Sequence, residues 1–493
     1  LIGVSILVKG TGKGVVTGVD GSYSLTANPG QELEFSYVGY KNKSVTVRKS
    51  GRLDVELTED AQMLDQVVVV GYGTMKRSDL TGSVASISEE QIKQGVNTSI
   101  EQAMQGRIAG VQVMQNSGAP GGGISVQIRG INSLNGNEPL YVIDGVAISG
   151  QTGNNSSVLS SINPSDIVSM EVLKDASATA IYGSRASNGV VLINTKRGEE
   201  GKPKLSYEGY AGWQQLPGKL KVMDLYDYAD YYNTRAEIMG WGVREDYKDP
   251  SLLTAGTDWQ EELFRTAFMH NHQIGVSGGN KGVNYALSGG YLNQDGIGLG
   301  SGFDRVSFRT NFDAEITNWL KIGVNASYAH TKQVTTLDSS GLISVALDQR
   351  PDVSPRNADG SYGFVEQDQF GTYYTNPLFE AQMKENYNTN SQFYYNIYAN
   401  INPIKGLNLR LEYGGSLNYG NSYYFCPEYQ YGTVVVESES NRGSSKSDNW
   451  SLKTYATYDF TVARKHKFQI MAGHEAQEGS WENLSGSRKG YIS

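Results

Sequence analysis

The side chains that most often carry catalysis or hold a metal are few and scattered in this sequence of 493 residues. His270 and His272 alternate along an extended segment and so share one face, as two metal ligands would, but no third ligand is evident. Cys426 is the only cysteine, which excludes an internal disulfide and a thiolate metal cluster. No Ser/His/Asp or paired-carboxylate arrangement has an interpretable spacing. We therefore expect a protein that is not an enzyme, with no catalytic residue, no metal site and no cofactor.

A different chemistry, main-chain hydrogen bonding, is suggested by four consecutive valines. They stand in the segment Leu64, Asp65, Gln66, Val67, Val68, Val69, Val70, Gly71 and Tyr72. β-branched residues between breakers form an extended strand, which is either buried in a sheet or exposed to pair with the sheet edge of another protein. Because a β module precedes the valines and a glycine-rich stretch follows them, they have no sheet of their own. We predict the exposed docking strand, poorly ordered or packed against a neighbour when its partner is absent.

Composition restricts the class of protein. A chain of this length predicts two or three folding units. Hydrophobic residues make up 38%, mean hydropathy is −0.42, and 59 Gly and 32 Tyr favour extended β structure with one apolar face. No apolar run approaches the roughly 18 residues of a membrane helix, so a membrane-spanning form would have to be a closed barrel. The net charge of −9 and the lack of a Lys/Arg cluster argue against a nucleic-acid partner.

The first 58 residues predict a small β-sandwich. After strand-like residues 1–8, alternating runs between turn residues predict strands at 14–19, 23–27, 32–37, 43–47 and 53–57. Thr17, Asp20-Gly21-x-Tyr23 and Val38-Gly39-Tyr40 resemble the carboxypeptidase-regulatory-like module. Such modules open with one further strand, and no secretion signal is evident, so we expect the chain to be truncated at its N-terminus.

From Asp79 to Gly198 the pattern changes to short helices and strands separated by glycine. Helices are predicted at Glu89–Ile92 and at 99–104, the second with Ser99 as N-cap and Gln102 completing a capping box. Strands are predicted at 111–114, 125–128, 140–143, 168–173 and 189–195. The glycine-rich run 118–123 lacks the Gly-Lys-Ser/Thr ending of a phosphate-binding loop, so we predict a mobile loop.

Several motifs of this stretch resemble, in family order, the plug domain of TonB-dependent outer-membrane transporters. They are Gln105–Val111, Val126–Gly130 and Pro139–Val146, and residues 171–198, EVLKDASATAIYGSRASNGVVLINTKRG, are similar to the SusC/RagA-like branch. The resemblance implies that the valine segment binds TonB. It also implies a set of plug motif residues, namely Arg129, Asp144, Gly145, Lys174, Asp175, Tyr182 and Arg185. We expect Lys174, Asp175 and Arg185 to place charge where the plug meets polar barrel walls.

From Lys204 onward, apolar and polar residues alternate in segments of about ten residues, as in Val306–Ile316 and Leu320–Tyr328. A soluble sandwich would alternate in the same way, but connections that are alternately tight and long are typical of outer-membrane barrels. Tight links are predicted at 278–282, 317–319, 402–406 and 463–466, and long ones at 215–269, 294–302, 333–391 and 420–449. About nine strands are predicted by Gln477, out of roughly 22 in this transporter class, so we expect the rest of the barrel to be missing.

The predicted fold is therefore mainly β. It comprises a small β-sandwich (1–58), a TonB-box-like linker (59–78), an α/β plug (79–198) and the N-terminal part of an antiparallel transmembrane β-barrel (203–493).

Aromatic residues are predicted to serve two purposes. Those near strand ends are expected to form interfacial girdles, namely Trp319, Trp450, Tyr328 and Tyr458. Others stand in predicted loops beside Asn, Gln and Asp, an arrangement that suits stacking on sugar rings, namely Tyr373, Tyr374, Tyr423 and Tyr424. Loop packing or contact with a partner explains these four residues equally well.

The resemblance implies active import across the outer membrane, with work supplied by TonB, ExbB and ExbD and a SusD-like surface lipoprotein as a lid. The expected ligand is an oligosaccharide or a peptide. We expect the barrel to contact outer-membrane lipid and the sandwich and TonB box to be periplasmic. Three alternatives stay open: an iron-chelate receptor of the same family, a structural or adhesive surface protein, and an enzyme displayed on a barrel.

Overall fold

The computed structural model describes residues 4–9, 14–18, 21–36, 43–47, 51, 53–57, 67–70, 73–76, 84–131, 133, 136–148, 158–175, 179–364, 375–431, 434–463 and 465–490. The chain divides into two compact units. One consists of Leu1–Val84 with Asp175–Tyr182, and the other of Ala85–Lys174 with Gly183–Ser493. The second unit therefore holds most of the α/β stretch and all of the long alternating strands.

The first unit contains a four-stranded antiparallel sheet with strand order β2-β1-β3-β4. Its strands are β1 (Ser5–Val8), β2 (Gly14–Val16), β3 (Glu32–Ser36) and β4 (Lys43–Thr46). The core includes Ile6 and Phe35. Residues 23–27 and 53–57 pack every second side chain on this core but are not strands, so their prediction as strands is wrong. Period-two alternation reports which face is buried, not whether a neighbouring backbone lies within hydrogen-bonding reach.

The four valines form a strand outside the larger sheets. β5 (Val67–Val70) pairs with β6 (Gly73–Lys76) in a two-stranded antiparallel sheet, with Val70 opposite Gly73. Neither strand belongs to the four-stranded sheet or to the sheet of the α/β stretch, so the valines are a central strand of neither domain. The rest of the predicted docking segment lies outside the described residues, namely Leu64, Asp65, Gln66, Gly71 and Tyr72.

Residues 85–198, called the α/β region below, contain a five-stranded mixed sheet with strand order β11-β10-β13-β12-β7. Strands β10 and β13 are parallel, and β8 and β9 form a separate two-stranded sheet. The elements are β7 (Val84–Ser88), α1 (Glu89–Ile92), α2 (Ile100–Met104), β8 (Val111–Gln115), β9 (Ile124–Ile128), β10 (Leu140–Ile143), β11 (Val146–Ile148), β12 (Ile167–Leu173) and β13 (Val190–Thr195), with 3₁₀ turns at Val158–Ser161, Pro164–Asp166 and Ala180–Ala186. The five predicted strands are confirmed to within one residue at each end, while β7 and β11 were not predicted.

Helix α2 begins as predicted, but its cap differs from the prediction. The Ser99 hydroxyl accepts from the Gln102 N–H at 3.4 Å, whereas the Gln102 side chain accepts from the N–H and the hydroxyl of Thr98, both at 3.0 Å. The reciprocal capping box belongs to α1, between Ser88 and Gln91. In both helices the N-cap hydroxyl accepts from a backbone N–H that the first turn leaves without a partner.

The second unit continues as a nine-stranded antiparallel sheet, called the wall below, in which strands that follow one another along the chain are neighbours. This confirms the predicted number and order of strands. The strands are β14 (Gly201–Gln214), β15 (Ala267–Asn280), β16 (Val283–Asp295), β17 (Ser301–Thr317), β18 (Leu320–Thr335), β19 (Glu385–Ile401), β20 (Leu407–Cys426), β23 (Glu439–Val462) and β24 (His466–Lys489), with a short pair, β21 (Tyr429–Tyr431) and β22 (Val434–Val436), in one connection.

Wall strands are longer than the predicted ten residues, with lengths from 13 to 24 residues. The predicted long connection at 420–449 is therefore mostly strand, because β20 continues to Cys426 and β23 begins at Glu439. The predicted connection at 294–302 shrinks to the residues between Asp295 and Ser301. In both places the strands continue with residues that are mostly small or polar, so a prediction based on apolar alternation ended the strands too early.

The two faces of the wall have the reverse polarity of a soluble sheet. On the face turned away from the α/β region, here the outer face, large apolar side chains are exposed on every strand: Leu205, Ile274, Leu287, Phe308, Ile322, Ile397, Leu411, Tyr458 and Ile470. Leu205 is 76% exposed. On the inner face polar side chains are buried, and Arg305 is 2% exposed. An apolar outer face over a polar inner face is the pattern of a sheet whose outside meets lipid.

Two long connections at one rim of the wall fold into helices. The first contains α3 (Leu225–Met239) and α4 (Trp259–Leu263) with 3₁₀ turns at Glu245–Tyr247 and Pro250–Leu252, and the second contains α5 (Thr336–Ser339), α6 (Leu342–Asp348) and α7 (Pro377–Met383). Trp259 and Leu263 pack with Leu337 and Leu342, so the two connections share one core. Within the described residues, no helix combines the length and the apolarity needed to cross a bilayer.

Candidate functional site

The inner face of the wall is fastened to the α/β region by buried charges, and the turn between β10 and β11 lies at the centre of these contacts. Asp144 holds this turn with a φ of +47°, and its carboxylate accepts from the N–H of Thr195 at 3.1 Å and from its hydroxyl at 2.7 Å. The same carboxylate pairs with Arg309 of β17, and the two side chains are 4% and 8% exposed. Because removing either partner would leave the other charge buried without it, substitution of Asp144 or Arg309 alone is expected to destabilise the contact by about 3–5 kcal/mol.

The next residue of the turn, Gly145, meets a second set of charges. Its carbonyl accepts from Lys453 Nζ of β23 at 2.7 Å, and Lys453 lies 3.5 Å from Glu412 of β20. Glu412 also pairs with Arg410 at 2.9 Å. Gly145 has a φ of +93°, and a Cβ there would lie 3.1 Å from Glu412 Oε1. The turn therefore needs glycine both for its backbone conformation and for its close approach to the wall.

The end of β13 is held by a third group of contacts. Asn311 of β17 donates to the Thr195 hydroxyl at 3.0 Å and to the Lys196 carbonyl at 2.6 Å. Arg197 lies 3.3 Å from Asp313 and donates to the Tyr398 hydroxyl at 3.1 Å. Residues that follow the last strand of the α/β region are thus tied to β17 and β19.

Arg305 of β17 binds backbone instead of a carboxylate. Its guanidinium donates to the carbonyls of Thr98, Ser160 and Ile162 at 3.2, 2.9 and 3.1 Å. One buried cation therefore bridges the residue before α2 and the turn before β12. Arg305, Arg309 and Lys453 were not predicted as site residues. The available signal was a charged residue at a position that alternation places on the polar face of a strand.

The predicted plug motif residues divide into those that meet the wall and those that do not. Asp144 and Gly145 meet it as described, and Arg185 contacts Gln477 and lies 3.4 Å from Glu475 of β24. Lys174 donates to the Ala109 carbonyl at 2.6 Å, a contact inside the α/β region, and its predicted role at the wall stays a prediction. Arg129 is exposed, with a φ of +59°. Asp175 and Tyr182 belong to the first compact unit, in which the Asp175 carbonyl accepts from the N–H of Thr179.

The four tyrosines predicted to stack on sugars do not form one surface. Tyr373 and Tyr374 lie outside the described residues. Tyr423 and Tyr424 are consecutive residues of β20, not loop residues, so their side chains point to opposite faces of the wall. Tyr424 shares the inner face with Glu412, whereas Tyr423 lies on the outer face beside Tyr387, with ring centroids 4.9 Å apart.

The histidine pair lies on the outer face. The rings of His270 and His272 have centroids 5.2 Å apart, and His272 Nδ1 lies 2.7 Å from the Tyr207 hydroxyl. Within the part of the chain that the structure describes, no three His, Cys, Asp or Glu side chains come together as a metal site.

A cavity of about 460 Å³ lies between the glycine-rich segment of the α/β region and the first strands of the wall. Its lining includes backbone at 118–122 and is rich in amide side chains, namely Gln102, Gln115, Gln214 and Gln294, with Tyr210 and Phe303 beside them. Amides and an aromatic ring suit a polar, uncharged ligand. The sequence predicted a mobile loop here and did not predict the cavity.

The family models match two parts of the chain. A CarboxypepD_reg-like domain matches residues 1–69, and a TonB-dependent receptor plug domain matches residues 76–190. The second match covers the turn of Asp144 and Gly145, whose contacts with the wall are described above.

Relatives match along nearly the whole chain. The chain is 36% identical to TonB-dependent receptor P26 of Formosa agariphila over 98% of its own length and 48% of the relative's, and 34% identical to TonB-dependent receptor SusC of Bacteroides thetaiotaomicron over 97% and 49%. Among solved structures, the RagAB peptide importer in its open-open state matches with a TM-score of 0.74 at 30% identity, over 87% of this chain and 50% of that one. The chain thus spans about half the length of the relatives it matches. These relatives are receptors and transporters rather than enzymes, and the chain belongs to the SusC/RagA-like branch of the TonB-dependent receptors.

Proposed function

We propose that the protein imports an oligosaccharide or a peptide across the outer membrane, using work delivered by TonB, ExbB and ExbD. The main support for this proposal is that polar contacts hold the α/β region to the wall. Opening a passage requires the region to move away from the inner face. Contacts such as Asp144–Arg309 and Lys453–Gly145 can be exchanged for water as it moves, whereas a purely apolar interface would expose its core.

In this proposal the parts of the chain act in sequence. Residues 1–58 form a periplasmic module, 59–78 present the TonB-binding segment, 79–198 are the plug and 203–493 belong to the barrel wall. TonB pairs with Val67–Val70 through main-chain hydrogen bonds, which require only an extended, β-prone segment. Pulling on the segment is transmitted to the plug, and the contacts of Asp144, Gly145 and Arg185 with the wall set the force needed to release it.

The long connections are proposed as the extracellular platform for a SusD-like lipoprotein lid. Their shape is held by a carboxylate, Asp352, which lies 3.0 Å from Arg244 and 2.6 Å from Arg350 and accepts from the Tyr247 hydroxyl at 2.6 Å. Burial opposes ionisation of Asp352, but hydrogen bonds from Arg350 and Tyr247 and the nearby positive charges hold its pKa below the ordinary value. A network of this kind gives a firm surface to a partner. Of the four predicted tyrosines, Tyr424 is the one we propose for ligand contact at the inner face.

Deletion of residues 66–70 in the full-length protein tests the transport proposal. Cells carrying the deletion are expected to bind ligand at the surface as wild-type cells do, but to accumulate none. A variant lacking residues 59–63, an equal number of linker residues before the valine segment, controls for linker length. Uptake that survives deletion of the valines, or that withstands a protonophore, would show that TonB does not drive it.

A binding panel on the complete complex tests the ligand class. Purified protein with its lipoprotein partner is presented with glycans, with peptides and with ferric chelates under the same conditions. Binding of a glycan or a peptide supports the proposal. Binding of a ferric chelate alone, with growth that depends on it under iron limitation, would make the protein an iron-chelate receptor instead.

A further inference from the structure

Two cations and two tyrosines cluster on the outer face of the wall, just beyond its apolar band. The cluster comprises Lys332 of β18, Tyr387 of β19, Tyr423 of β20 and Arg442 of β23, and is called the Lys332–Arg442 patch below. Tyr387 lies directly opposite Tyr423, and Tyr423 lies directly opposite Arg442. Four adjacent strands therefore contribute to one continuous surface.

Each cation of the patch lies over an aromatic ring. Lys332 Nζ is 4.6 Å from the centroid of Tyr387, and Arg442 Cζ is 4.9 Å from the centroid of Tyr423. The two rings are 4.9 Å apart. Cation–π contact holds a charge in position without neutralising it. Two positive charges are thus held side by side, together with two phenol hydroxyls.

No carboxylate pairs with either cation among the residues that the structure describes. Asp304 lies opposite Lys332 on β17, but its carboxylate accepts from Asn293 at 2.7 Å and forms no ion pair with the lysine. Both cations are exposed. Their charge is therefore available to an anion from outside the protein.

The position of the patch along the strands points to the membrane interface. On β18 the outer face runs from Tyr328 through His330 to Lys332, and on β19 it runs from Phe393 through Ser391 and Thr389 to Tyr387. Tyr328 and Phe393 are exposed apolar residues of the band. Four residues of strand at a tilt of about 40° rise roughly 10 Å along the membrane normal. The patch thus begins in the layer beyond the hydrocarbon, where lipid phosphates lie.

We infer that the Lys332–Arg442 patch binds the phosphate groups of an anionic lipid in the leaflet at the rim of the long connections. This inference rests on the outer-membrane placement in the proposed function and adds a lipid site to it. Phosphate oxygens accept charge-assisted hydrogen bonds from lysine and arginine, and the tyrosine hydroxyls supply further donors. A lipid with two phosphates engages both cations at once.

Lipid retention by the purified full-length complex tests this inference. Binding of bisphosphorylated lipid A, and of the same lipid after removal of its phosphates, is measured by titration in detergent with native mass spectrometry. Each cation near a phosphate contributes about fivefold in affinity, so Lys332→Gln with Arg442→Gln should weaken binding of the phosphorylated lipid by about 25-fold. Binding of the dephosphorylated lipid should not change. Tyr387→Leu with Tyr423→Leu should give a smaller loss, because the charges remain but are no longer held in place.

Lys405→Gln is the matched control, since Lys405 is an exposed lysine in the tight turn at the opposite rim. An equal loss of binding in this control, or equal affinity of the wild type for both lipids, would overturn the inference. So would a change in oligomeric state with lipid binding intact, which would make the patch a contact between protein chains. Retention on purified protein does not depend on uptake, so failure of the lipid site and failure of the transport proposal are distinguishable.

Discussion

Asp144 and Arg309 are 165 residues apart in the chain, yet they form a buried ion pair that joins the turn after β10 to the inner face of β17. Both side chains are buried, and the carboxylate is further held by Thr195. The pair is thus one of several buried polar contacts by which the plug is fastened. Loss of either partner is expected to be costly, because the other is then a buried charge without its nearest counter-charge.

Asp144→Asn is expected to loosen the plug, because it removes the carboxylate that pairs directly with buried Arg309. A loss of about 3–5 kcal/mol corresponds to a hundredfold or larger increase in local opening, measured as faster amide hydrogen exchange in β13. The double variant Asp144→Asn with Arg309→Gln should recover part of this loss. If the effects of the two single variants simply add, the two charges are not coupled.

Gly145→Ala is expected to destabilise the plug more than Gly130→Ala does. Both glycines have a φ of +93°, so alanine meets the same backbone strain at each. Only at Gly145 would the new methyl group also crowd Glu412, and at Gly130 nothing lies within 4 Å. Thermal unfolding of the two variants measures the difference, which we expect to be about 1–2 kcal/mol. Equal melting temperatures would mean that the close approach of Gly145 to the wall does not affect stability.

The stability of the plug is expected to fall between pH 4.5 and pH 7. Burial raises the pKa of Glu101 to about 7, although a hydrogen bond from Ser99 and the charge of Arg305 act in the opposite direction. The folded state therefore binds this proton more tightly than the unfolded state does. Its contribution is complete below the ordinary pKa of 4.5 and is lost as the pH rises through 7, by about 3 kcal/mol.

Glu101→Gln removes this titration and should flatten the dependence of unfolding free energy on pH over that interval. Glu90→Gln, at an exposed position of α1, is the matched control and should leave the wild-type slope unchanged. The assignment to Glu101 fails if the slope persists in Glu101→Gln.

Substitutions in β5 are expected to separate main-chain from side-chain recognition. Val68→Pro with Val69→Pro removes two N–H donors and should abolish uptake while leaving ligand binding at the surface intact. Val68→Thr with Val69→Thr keeps the N–H groups and the β propensity, and should retain most uptake. Uptake assays in cells with equal surface expression compare the two. A severe defect in the threonine variant would mean that TonB recognises the valine side chains directly.

Much of the fold was predictable because it follows from local patterns. The five predicted strands of the α/β region are present, since short apolar runs between glycines leave little choice of element. The nine wall strands appear in the predicted order, because alternation and turn residues act over a few positions. Strand length was underestimated, because β20 and β23 continue with small polar residues that show no apolar alternation.

The candidate site was predictable only in part. The resemblance indicated Asp144 and Gly145 but not their partners Arg309, Lys453 and Glu412, which lie on strands far along the chain. Tyr423 and Tyr424 were expected to act together, yet as consecutive strand residues they face opposite sides. Which charges meet depends on which strands are neighbours and in what register.

By itself the sequence determined the family, the order of the parts and the side of each wall strand that carries apolar residues. These properties follow from motifs, from turn residues and from the alternation of apolar and polar residues, all of which act over short distances along the chain. Tertiary structure alone decided that Asp144 meets Arg309, that Lys332, Tyr387, Tyr423 and Arg442 form one patch, and that β5 pairs with β6. The physical reason is that these contacts depend on the register between strands. Local preferences alone do not set that register, because it also depends on how the whole sheet packs.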